Sequence, residues 1–532
     1  MCELCIARFC QRGFLNLSES SSKEKFNFLA TIKVGGWTFA SRVAGLIRDI
    51  FTTNLLGASV FHDIFVVVLK IPNVFRRFFA EGAFSQAFIP IYSDYLGKDN
   101  EDEGQEFINA LAGLLLTVLF AFTVLALIFA PFFILIFAPG FYFDSAKQEL
   151  AVNLLRIMFP YLGLISLVAF ASGIQNSHQK FSIPAATPLI FNFSLILAAS
   201  MIAPKMEIPV MALAWGVLLA GVLQLLFQIA PLAAIKKIPI PKLDFSNKGQ
   251  RKFLVLIAPA ILAGGIAQIN LLVDTIFASL LITGSPTWLY VSDRLIQFPL
   301  GIFAIAIGTV LLPSLSKSYA QNDLNSYTLQ LEKAFKLIIF LSIPSVLGLM
   351  IFAEPLLGTI FQRGAFLWSD VEQSSLSLVA FSIGLPFFMA MKVLVPAFFS
   401  RQDTKTPMFV ALFSLLLNIV MNYFLAFYLG YGHIGLAIAS SIAAVLSVVL
   451  LSTLLAKEKL MSFNILISSF AFKIFIAGFA LAAFLLFVLS ESNFELLNQM
   501  QRILRLSLVL ISSMIIYFGT SFLIGIKLKD FR

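Results

Sequence analysis

The chain has 532 residues, of which 59% are hydrophobic and only 12% are charged. Soluble domains carry about 45–50% apolar and about 25% charged residues, so this chain has too little polar surface to cover a water-soluble globule. The composition therefore indicates an integral membrane protein. The net charge of +9 lies mostly in connections between apolar runs, and it does not indicate nucleic-acid binding.

Apolar runs predict an all-α polytopic protein with about fourteen transmembrane helices. A bilayer core about 30 Å thick needs about 20 apolar residues per helix, and runs bounded by charges or by Pro and Gly meet this length. The predicted spans are 28–56, 60–79, 107–138, 149–174, 181–203, 208–234, 251–281, 286–316, 328–361, 372–399, 406–429, 434–456, 464–489 and 500–526.

Basic residues concentrate in every second connection. They include Lys98, Lys180, the cluster from Lys236 to Lys252, Lys317, Arg401, Lys405 and Lys457. The alternate connections hold few basic groups, such as Lys147 and Lys205. By the positive-inside rule, both termini are predicted to be cytoplasmic.

The first 27 residues form a polar tail that contains all three cysteines, Cys2, Cys5 and Cys10. A Cys-x2-Cys pair without a second pair or a nearby histidine does not make a zinc site, so we predict no metal there. The tail shows no apolar stretch followed by a cleavage site, so no signal peptide is expected.

Short motifs recur at a separation of 223 residues. Ile89-Pro90 matches Leu312-Pro313, and Leu213-Ala214 matches Leu436-Ala437. This repeat predicts two six-helix lobes of the same orientation, followed by two extra helices, as in transporters built from parallel repeats. The predicted segments are a tail (1–27), an N-lobe (28–234), a basic cytoplasmic linker (235–250), a C-lobe (251–456) and a C-terminal pair of helices (457–532).

Several cations lie within or beside the apolar runs: Arg42, Arg48, Arg76 and Arg294. A cation at the bilayer centre costs at least about 2.5–3.5 kcal/mol, so such residues usually face a wet cavity and mark a transport pathway. They predict transport of an anion. The alternative is that Arg48 pairs with the adjacent Asp49, and Arg294 with Asp293, as ions that hold helices together.

Longer blocks carry a resemblance to a known family. The blocks are SRVAGLIRD (41–49), KIPNVFRRFFAEGAFSQAFIP (70–90), SDRL (292–295), GTVLLPSLS (308–316) and SRQDTKTP (400–407). In this order they resemble the signature of the MurJ/MviN family of lipid II flippases, and the likeness extends from residue 28 to the C-terminus.

The resemblance implies the fold of the multidrug/oligosaccharidyl-lipid/polysaccharide exporter superfamily, in which two lobes enclose a central cationic cavity. The implied substrate is lipid II, the undecaprenyl-diphosphate-linked peptidoglycan precursor, carried from the inner to the outer leaflet of the bacterial cytoplasmic membrane. The residues matching the family cavity are Arg42, Arg48, Asp63, Lys70, Arg76 and Arg294. Guanidinium groups suit a diphosphate because they stay charged and bind oxygens in pairs.

Glycine and proline predict where the helices flex, at Gly45 in the first span and at Pro299 with Gly301 in the eighth. A second polar set combines Asp274 with Asn418 and Asn422, which share a helix face because they are four residues apart. A carboxylate with amide oxygens suits a hard cation, so this set predicts a sodium site. Hydrogen bonds across helices are the alternative reading.

No phosphate-binding loop, zinc-protease motif or hydrolase elbow is present in the sequence, so we predict a transporter and not an enzyme, with no cofactor besides the sodium ion. We expect a monomer surrounded by membrane lipids, and leave contact with other cell-wall synthesis proteins open. The alternatives are a flippase for another polyprenyl-diphosphate glycan of the O-antigen type, a drug/cation antiporter, a polyprenyl-phosphate transferase, and a non-transporting scaffold of cell-wall synthesis.

Overall fold

The computed structural model describes residues 33–79, 83–97, 100–244, 246–462, 468–527 and 530–531. The predicted tail, with its three cysteines, lies outside these residues, as does the beginning of the first predicted span. The described residues form helices joined by short connections, and none of them lies in a β-strand.

The helices are numbered in chain order. The first ten are α1 (33–56), α2 (Val60–Phe79), α3 (Ala83–Gly97), α4 (Glu101–Ile128), α5 (Ala130–Phe137), α6 (Pro139–Tyr142), α7 (Ser145–Met158), α8 (Tyr161–Ser177), α9 (Ser182–Leu197) and α10 (Pro209–Ala234). The others are α11 (Lys248–Ser279), α12 (Ser285–Pro299), α13 (Ile305–Ala320), α14 (Leu324–Ile351), α15 (Ala353–Phe361), α16 (Trp368–Phe399), α17 (Lys405–Asn422), α18 (Gly432–Lys457), α19 (Ser469–Ser490) and α20 (Gln499–Leu523).

Within the described residues, eleven helical segments are long and apolar enough to cross a membrane. They coincide with eleven of the fourteen predicted spans. The other three predicted spans correspond to α1, α2 and α11. The prediction of an all-α, multi-spanning membrane protein is therefore confirmed.

Three segments continue their helices in a wider, π-helical form: Ala198–Ile202 after α9, Leu300–Ala304 between α12 and α13, and Tyr423–Tyr428 after α17. Such segments are rare and commonly lie at functional sites. The second one directly follows Pro299, whose ring nitrogen cannot donate a hydrogen bond to the preceding turn.

The 223-residue spacing found in the sequence reappears in the helix boundaries. Helices α10 and α18 begin at residues 209 and 432 and end at 234 and 457, so both ends differ by 223. The same offset separates the starts of α4 and α14, of α7 and α16, and of α9 and α17. We refer to the segments before and after residue 248 as the first and second repeats.

The turns that end equivalent helices also share an unusual backbone conformation. Gln179 and Gln402 have φ values of 59° and 62°, and Lys236 and Lys459 have 55° and 59°. A left-handed residue commonly ends a helix by redirecting the chain. That non-glycine residues adopt it at matching positions indicates that both repeats use the same turns.

Backbone contacts divide the chain into two compact units. The first comprises residues 1–49, 75–128 and 156–261, and the second comprises 50–74, 129–155 and 262–532. An aromatic core holds the first unit together, and its rings come from α3, α4, α8 and α11: Phe84, Phe88, Tyr92, Phe107, Phe170 and Phe253.

In the second unit, the two C-terminal helices pack on α14 and α15. The Tyr517 hydroxyl donates to the Phe340 carbonyl at 2.7 Å, within an apolar core that includes Ile474 and Leu506. Buried Arg502 joins the start of α20 to the end of α15, because its Nη1 donates to Gln362 Oε1 at 2.6 Å. These contacts make α19 and α20 part of the second unit.

Candidate functional site

The first unit contains a buried ion pair on α1. Arg48 Nη2 lies 2.6 Å from Asp49 Oδ1, and Arg48 Nη1 donates to Asn192 Oδ1 at 3.2 Å. The guanidinium also lies 5.6 Å from the centre of the Phe191 ring, within cation–π range. The structure thus contains the paired-ion arrangement that the sequence raised as an alternative for Arg48.

Asn192 links this ion pair to the backbone of α1. Its Nδ2 donates to the Ser41 carbonyl at 3.1 Å, while its Oδ1 accepts from Arg48. Gly45 lies directly opposite, and a Cβ atom there would be 3.8 Å from the Asn192 amide. The predicted hinge position is therefore the place where α9 contacts α1.

Two other predicted cavity cations also belong to the first unit. Arg42 is exposed, six residues before Arg48 on the same helix, and Arg76 on α2 is half-buried. The other predicted residues, Asp63, Lys70 and Arg294, belong to the second unit.

Asp63 lies at the start of α12. Its Oδ2 accepts from the Gly284 N–H at 2.6 Å, and its Oδ1 accepts from the Thr287 N–H at 3.0 Å and from the Thr287 hydroxyl at 2.6 Å. The first N–H groups of a helix have no partner within the helix, and a carboxylate there also favours the helix dipole. Asp63 therefore caps α12 from α2.

Lys70 and Arg294 lie in one charged group of the second unit. Lys70 interacts electrostatically with Asp293, Asp274 and Arg294. Arg294 Nη2 donates to the Tyr290 hydroxyl at 2.8 Å, and its guanidinium carbon lies 4.8 Å from the centre of that ring. Tyr290, one turn earlier on α12, therefore orients the half-buried guanidinium.

Asp274 forms the predicted polar set with Asn418 and Asn422. Asn422 Nδ2 donates to Asp274 Oδ1 at 2.9 Å and to Asn418 Oδ1 at 3.0 Å, and Ser440 donates to Asp274 Oδ2 at 3.1 Å. Both asparagines are fully buried. The Asn422 Oδ1 atom is buried with no hydrogen-bond partner.

The donor set of this cluster fits a hard cation. It offers a carboxylate, two amide oxygens and a hydroxyl, which are the ligands that such ions prefer. The assignment of Asn422 oxygen and nitrogen follows from the hydrogen bonds, and a rotated amide would direct its unpartnered oxygen to Asp274. A set of three or more His, Cys, Asp or Glu residues suited to a transition metal is absent from the described part of the chain.

Sequence reasoning missed three residues that complete these sites: Asn192, Thr287 and Ser440. They are neutral and lie in apolar helices, so only their distant partners reveal them. A fourth, Lys392, is an exposed cation within the span formed by α16, and the rule that singled out Arg294 would also have selected it. Gly308 packs on its backbone, since a Cβ there would lie 2.4 Å from the Lys392 carbonyl oxygen.

The helical fold is that of a class of membrane transporters. A multidrug resistance MATE family transporter of the MOP superfamily, in an inward-facing conformation, superposes with a TM-score of 0.63 and 14% identity, over 79% of this chain and 95% of that one. At this identity the likeness concerns the fold alone. A structure described as lipid II flippase MurJ in an inward closed conformation has a TM-score of 0.77 and 28% identity, over 92% of this chain and 98% of that one.

The sequence profile of the family described as lipid II flippase MurJ matches residues 52–506. Probable lipid II flippases MurJ of Buchnera aphidicola subsp. Schizaphis graminum and of Vibrio cholerae are each 38% identical, over 94% of this chain and 97% of theirs. The lipid II flippase MurJ of Burkholderia cenocepacia is 34% identical over 95% of this chain and 99% of its own. The chain belongs to the MurJ lipid II flippase family, so the family resemblance read from the sequence is confirmed.

Proposed function

We propose that this protein moves lipid II across the bacterial cytoplasmic membrane, from the inner to the outer leaflet, by alternating access. The observation that carries the proposal is membership of the MurJ family over nearly the whole chain. The cations in apolar helices supply the chemistry that a diphosphate headgroup requires.

The contacts support different roles for the predicted cavity residues. Arg42 is exposed, and Arg294 is a half-buried residue that donates to Tyr290; in this proposal both bind diphosphate oxygens in pairs. Lys70 adds a charge beside Arg294, and Arg76 adds another in the first unit. Within the second unit, a diphosphate would relieve the mutual repulsion of Lys70 and Arg294.

Arg48 and Asp63 act through other groups. Arg48 is buried against Asp49 and Asn192, so its role is to hold α1 against α9. Asp63 holds the start of α12, the helix that carries Arg294. Both are positioning residues in this proposal, and the pathway flexes where Gly45 meets Asn192 and at the π-helical turn that follows Pro299 and contains Gly301.

A sodium ion is the proposed coupling partner. Asp274, Asn418, Asn422 and Ser440 would hold it, and the buried, unpartnered Asn422 oxygen supports this assignment. The ion would supply positive charge for the Asp274 carboxylate in a low-dielectric setting. The alternative, a carboxylate held by the three neutral side chains with Lys70 as the nearby positive charge, predicts no sodium dependence.

The distribution of basic residues supports cytoplasmic termini and an inner-leaflet entry for the substrate. We infer a multi-pass protein of the cytoplasmic membrane that works as a monomer and carries out no covalent chemistry on lipid II. Contact with other cell-wall synthesis proteins is compatible with this function and is not required by it.

The test is leaflet-to-leaflet transfer of lipid II in proteoliposomes, at matched and verified insertion. We expect transfer by the wild type, its loss in Arg42→Ala and Arg294→Ala, and unchanged transfer in Lys205→Ala, an exposed lysine remote from these sites in sequence. Arg294→Lys separates point charge from paired hydrogen bonding, and we expect partial activity at most.

Two results would contradict the proposal. Wild-type transfer of an O-antigen-type polyprenyl-diphosphate glycan, with no transfer of lipid II under a sodium gradient or a membrane potential, would assign the other substrate. Absence of any transfer, together with normal cell-wall synthesis in cells that carry both arginine variants, would favour the scaffold role.

A further inference from the structure

The connection between α10 and α11 is bonded along one face of α4. We call residues 236–244 the strap. Its contacts on α4 are Glu101, Gln105, Asn109 and Gly113, which are spaced four residues apart and therefore share one helix face. Lys237 Nζ lies 2.9 Å from Glu101 Oε2, and Gln105 Nε2 donates to the strap at 3.1 Å. All of these residues lie in the first unit.

Asn109 accepts hydrogen bonds from the backbone in the middle of the strap. It accepts the Ile240 N–H on its side-chain oxygen at 2.8 Å and the Lys242 N–H on its backbone carbonyl at 3.0 Å. Of the four residues between Ile238 and Leu243, Ile240 and Lys242 have a backbone N–H, whereas Pro239 and Pro241 have none. One asparagine thus anchors this extended stretch of backbone.

Gly113 allows the strap to lie against the helix. A Cβ atom at this position would be 2.2 Å from the Lys242 carbonyl oxygen, which no side chain could tolerate without displacing the backbone. The equivalent residues of the second repeat, 223 positions later, are Glu332 and Lys336, which offer neither the amide of Asn109 nor the space of Gly113. The residues that anchor the strap, Asn109 and Gly113, are therefore specific to the first repeat.

The outer side of the strap combines apolar and basic side chains. The apolar ones are Ile238, Ile240 and Leu243, which are 43%, 69% and 63% exposed. The exposed lysines are Lys236, Lys242 and Lys248. Asp244 contributes an acid at the end of the strap, and hydrogen bonds from Ser246 hold the pKa of its carboxyl below its usual range.

The depth of the strap along α4 suggests what covers this surface. From Glu101 to Gly113 the helix rises by about 18 Å, at about 1.5 Å per residue. The acidic first turn at Glu101 suits water, whereas the apolar run of α4 begins at Phe107 and carries exposed Leu116 and Val118 soon after. The strap therefore lies beside the part of α4 where the polar sequence gives way to the apolar sequence.

We propose that the strap is a docking surface for the anionic lipid headgroups of the leaflet on the side that the charge distribution predicts to be cytoplasmic. Ile240 and Leu243 enter the boundary between headgroups and acyl chains, and the lysines reach the lipid phosphates. Apolar residues interleaved with lysines suit an anionic bilayer surface. A soluble acidic partner would leave the isoleucines in water. This inference does not rest on the identity of the transported substrate.

The test uses the full chain in lipid nanodiscs, after replacement of Cys2, Cys5 and Cys10 by serine. Since these are the only cysteines, a nitroxide can be attached singly at Ile240→Cys or Leu243→Cys, with Ser246→Cys, an exposed polar position just beyond the strap, as the matched control. Power saturation compares collisions with oxygen, which enriches in acyl chains, and with a water-soluble nickel chelate. Nanodiscs contain either phosphatidylcholine alone or a 3:1 mixture with phosphatidylglycerol.

We expect labels at 240 and 243 to favour oxygen several-fold over the label at 246, and the difference to grow with phosphatidylglycerol. Asn109→Ala removes the side-chain acceptor for Ile240 and should reduce the preference at 240. Asn109→Asp keeps an acceptor oxygen and should retain it. A folded transporter with a merely structural Asn109 would show the same oxygen preference in both variants.

The proposal is overturned if labels at 240 and 243 meet the nickel chelate as often as the label at 246 in both lipid compositions. It is also overturned by spin–spin broadening at 240 that disappears on dilution with unlabelled protein, because that result would identify a second copy of the chain as the occupant. An oxygen preference that is equal in neutral and anionic nanodiscs would contradict the proposed binding of the lysines to anionic headgroups.

Discussion

The two repeats place their buried polar groups at different helix positions. In the first repeat, Arg48, Asp49 and Asn192 form a bonded cluster, and the residues 223 positions later are Leu271, Leu272 and Leu415. In the second repeat the cluster is Asp274, Asn418, Asn422 and Ser440, and its first-repeat equivalents are Phe51, Leu195, Ala199 and Val217.

The difference between the repeats indicates that neither polar cluster is a general requirement of the repeated fold. At these equivalent positions one repeat carries apolar residues and the other carries polar ones, so a helix in this place in the sequence does not itself require the polar residues. Burying polar groups costs free energy unless they are bonded, and the other repeat carries apolar residues at the equivalent positions. Each cluster is therefore a candidate for function specific to its repeat.

The largest expected effect concerns the first cluster. Arg48→Leu installs the second-repeat residue and leaves the buried Asp49 carboxylate without its guanidinium partner, which typically costs about 3–5 kcal/mol. The double variant Arg48→Leu with Asp49→Leu should recover most of that stability. Thermal unfolding in detergent measures both, with lipid II transfer as a second readout.

The comparison between repeats makes the outcome of the double variant decisive. Stability recovered without transfer would assign a role in transport to the ion pair beyond holding α1 against α9. Recovery of both stability and transfer would indicate that the ion pair serves only to pack α1 against α9. If Arg48→Leu alone unfolds at the wild-type temperature, the ion pair does not stabilise the folded protein.

The next largest effect expected is stabilisation of the folded protein by sodium bound at the second cluster. A ligand that binds only the folded state at 100 times its Kd stabilises it by about 2.7 kcal/mol. We expect such a shift for the wild type with sodium against choline, and none for Asn422→Ala, which installs the first-repeat residue. Differential scanning fluorimetry measures the shift.

The matched control is Asn192→Leu, which installs the second-repeat residue at the other cluster. It should lower the baseline unfolding temperature and leave the sodium shift intact. An equal sodium shift in Asn422→Ala and in the wild type would contradict a cation site at Asp274 and favour simple hydrogen bonding across helices.

Removal of the cap on α12 should have a smaller effect. Asp63→Ala leaves the Gly284 and Thr287 N–H groups without their acceptor, and loss of an N-terminal cap costs about 0.5–2 kcal/mol. Asp63→Asn keeps one acceptor oxygen and should cost less. Chemical unfolding in a mild detergent distinguishes them, and equal stability of all three proteins would count against the capping role.

The smallest effect is expected at the exposed end of the strap. Lys237 and Glu101 form an ion pair in the first repeat, and the equivalent residues of the second are Leu460 and Leu324. Lys237 is buried but Glu101 is exposed, so solvent and salt weaken the pair and it contributes little. The double change to leucine should not measurably alter the midpoint of thermal unfolding, whereas a clear decrease would identify this pair as an anchor of the strap.

The sequence was sufficient for the arrangement of the helices along the chain. Hydrophobic length predicted the eleven spans found among the described residues, since the bilayer thickness constrains every span in the same way. The 223-residue offset was visible in short motifs such as Leu213-Ala214, and the ends of α10 and α18 repeat it. Pro299 predicted the irregular turn at Leu300–Ala304 because proline removes a backbone donor.

The sequence was less informative about what each polar residue contacts. The prediction for Asp63 concerned a cavity, and nothing in the sequence indicated that its oxygens cap a helix that begins more than 200 residues later. Asn192 and Ser440 carried no signal, because a neutral polar residue in an apolar helix is common. The strap was read as a basic linker, and its attachment at Asn109 depends on a helix that ends more than 100 residues earlier.

Composition and periodicity alone determined that this protein is helical, spans a membrane many times, repeats itself and carries cations into apolar helices. Those properties follow from the energy of moving each segment from water to lipid, which depends on the segment itself. Only the tertiary structure decided that Arg48 is paired, that Asp63 is a cap, that Asp274 meets two asparagines and a serine, and that a strap lies along α4. Those properties depend on distances between segments far apart in the chain, which are set by packing.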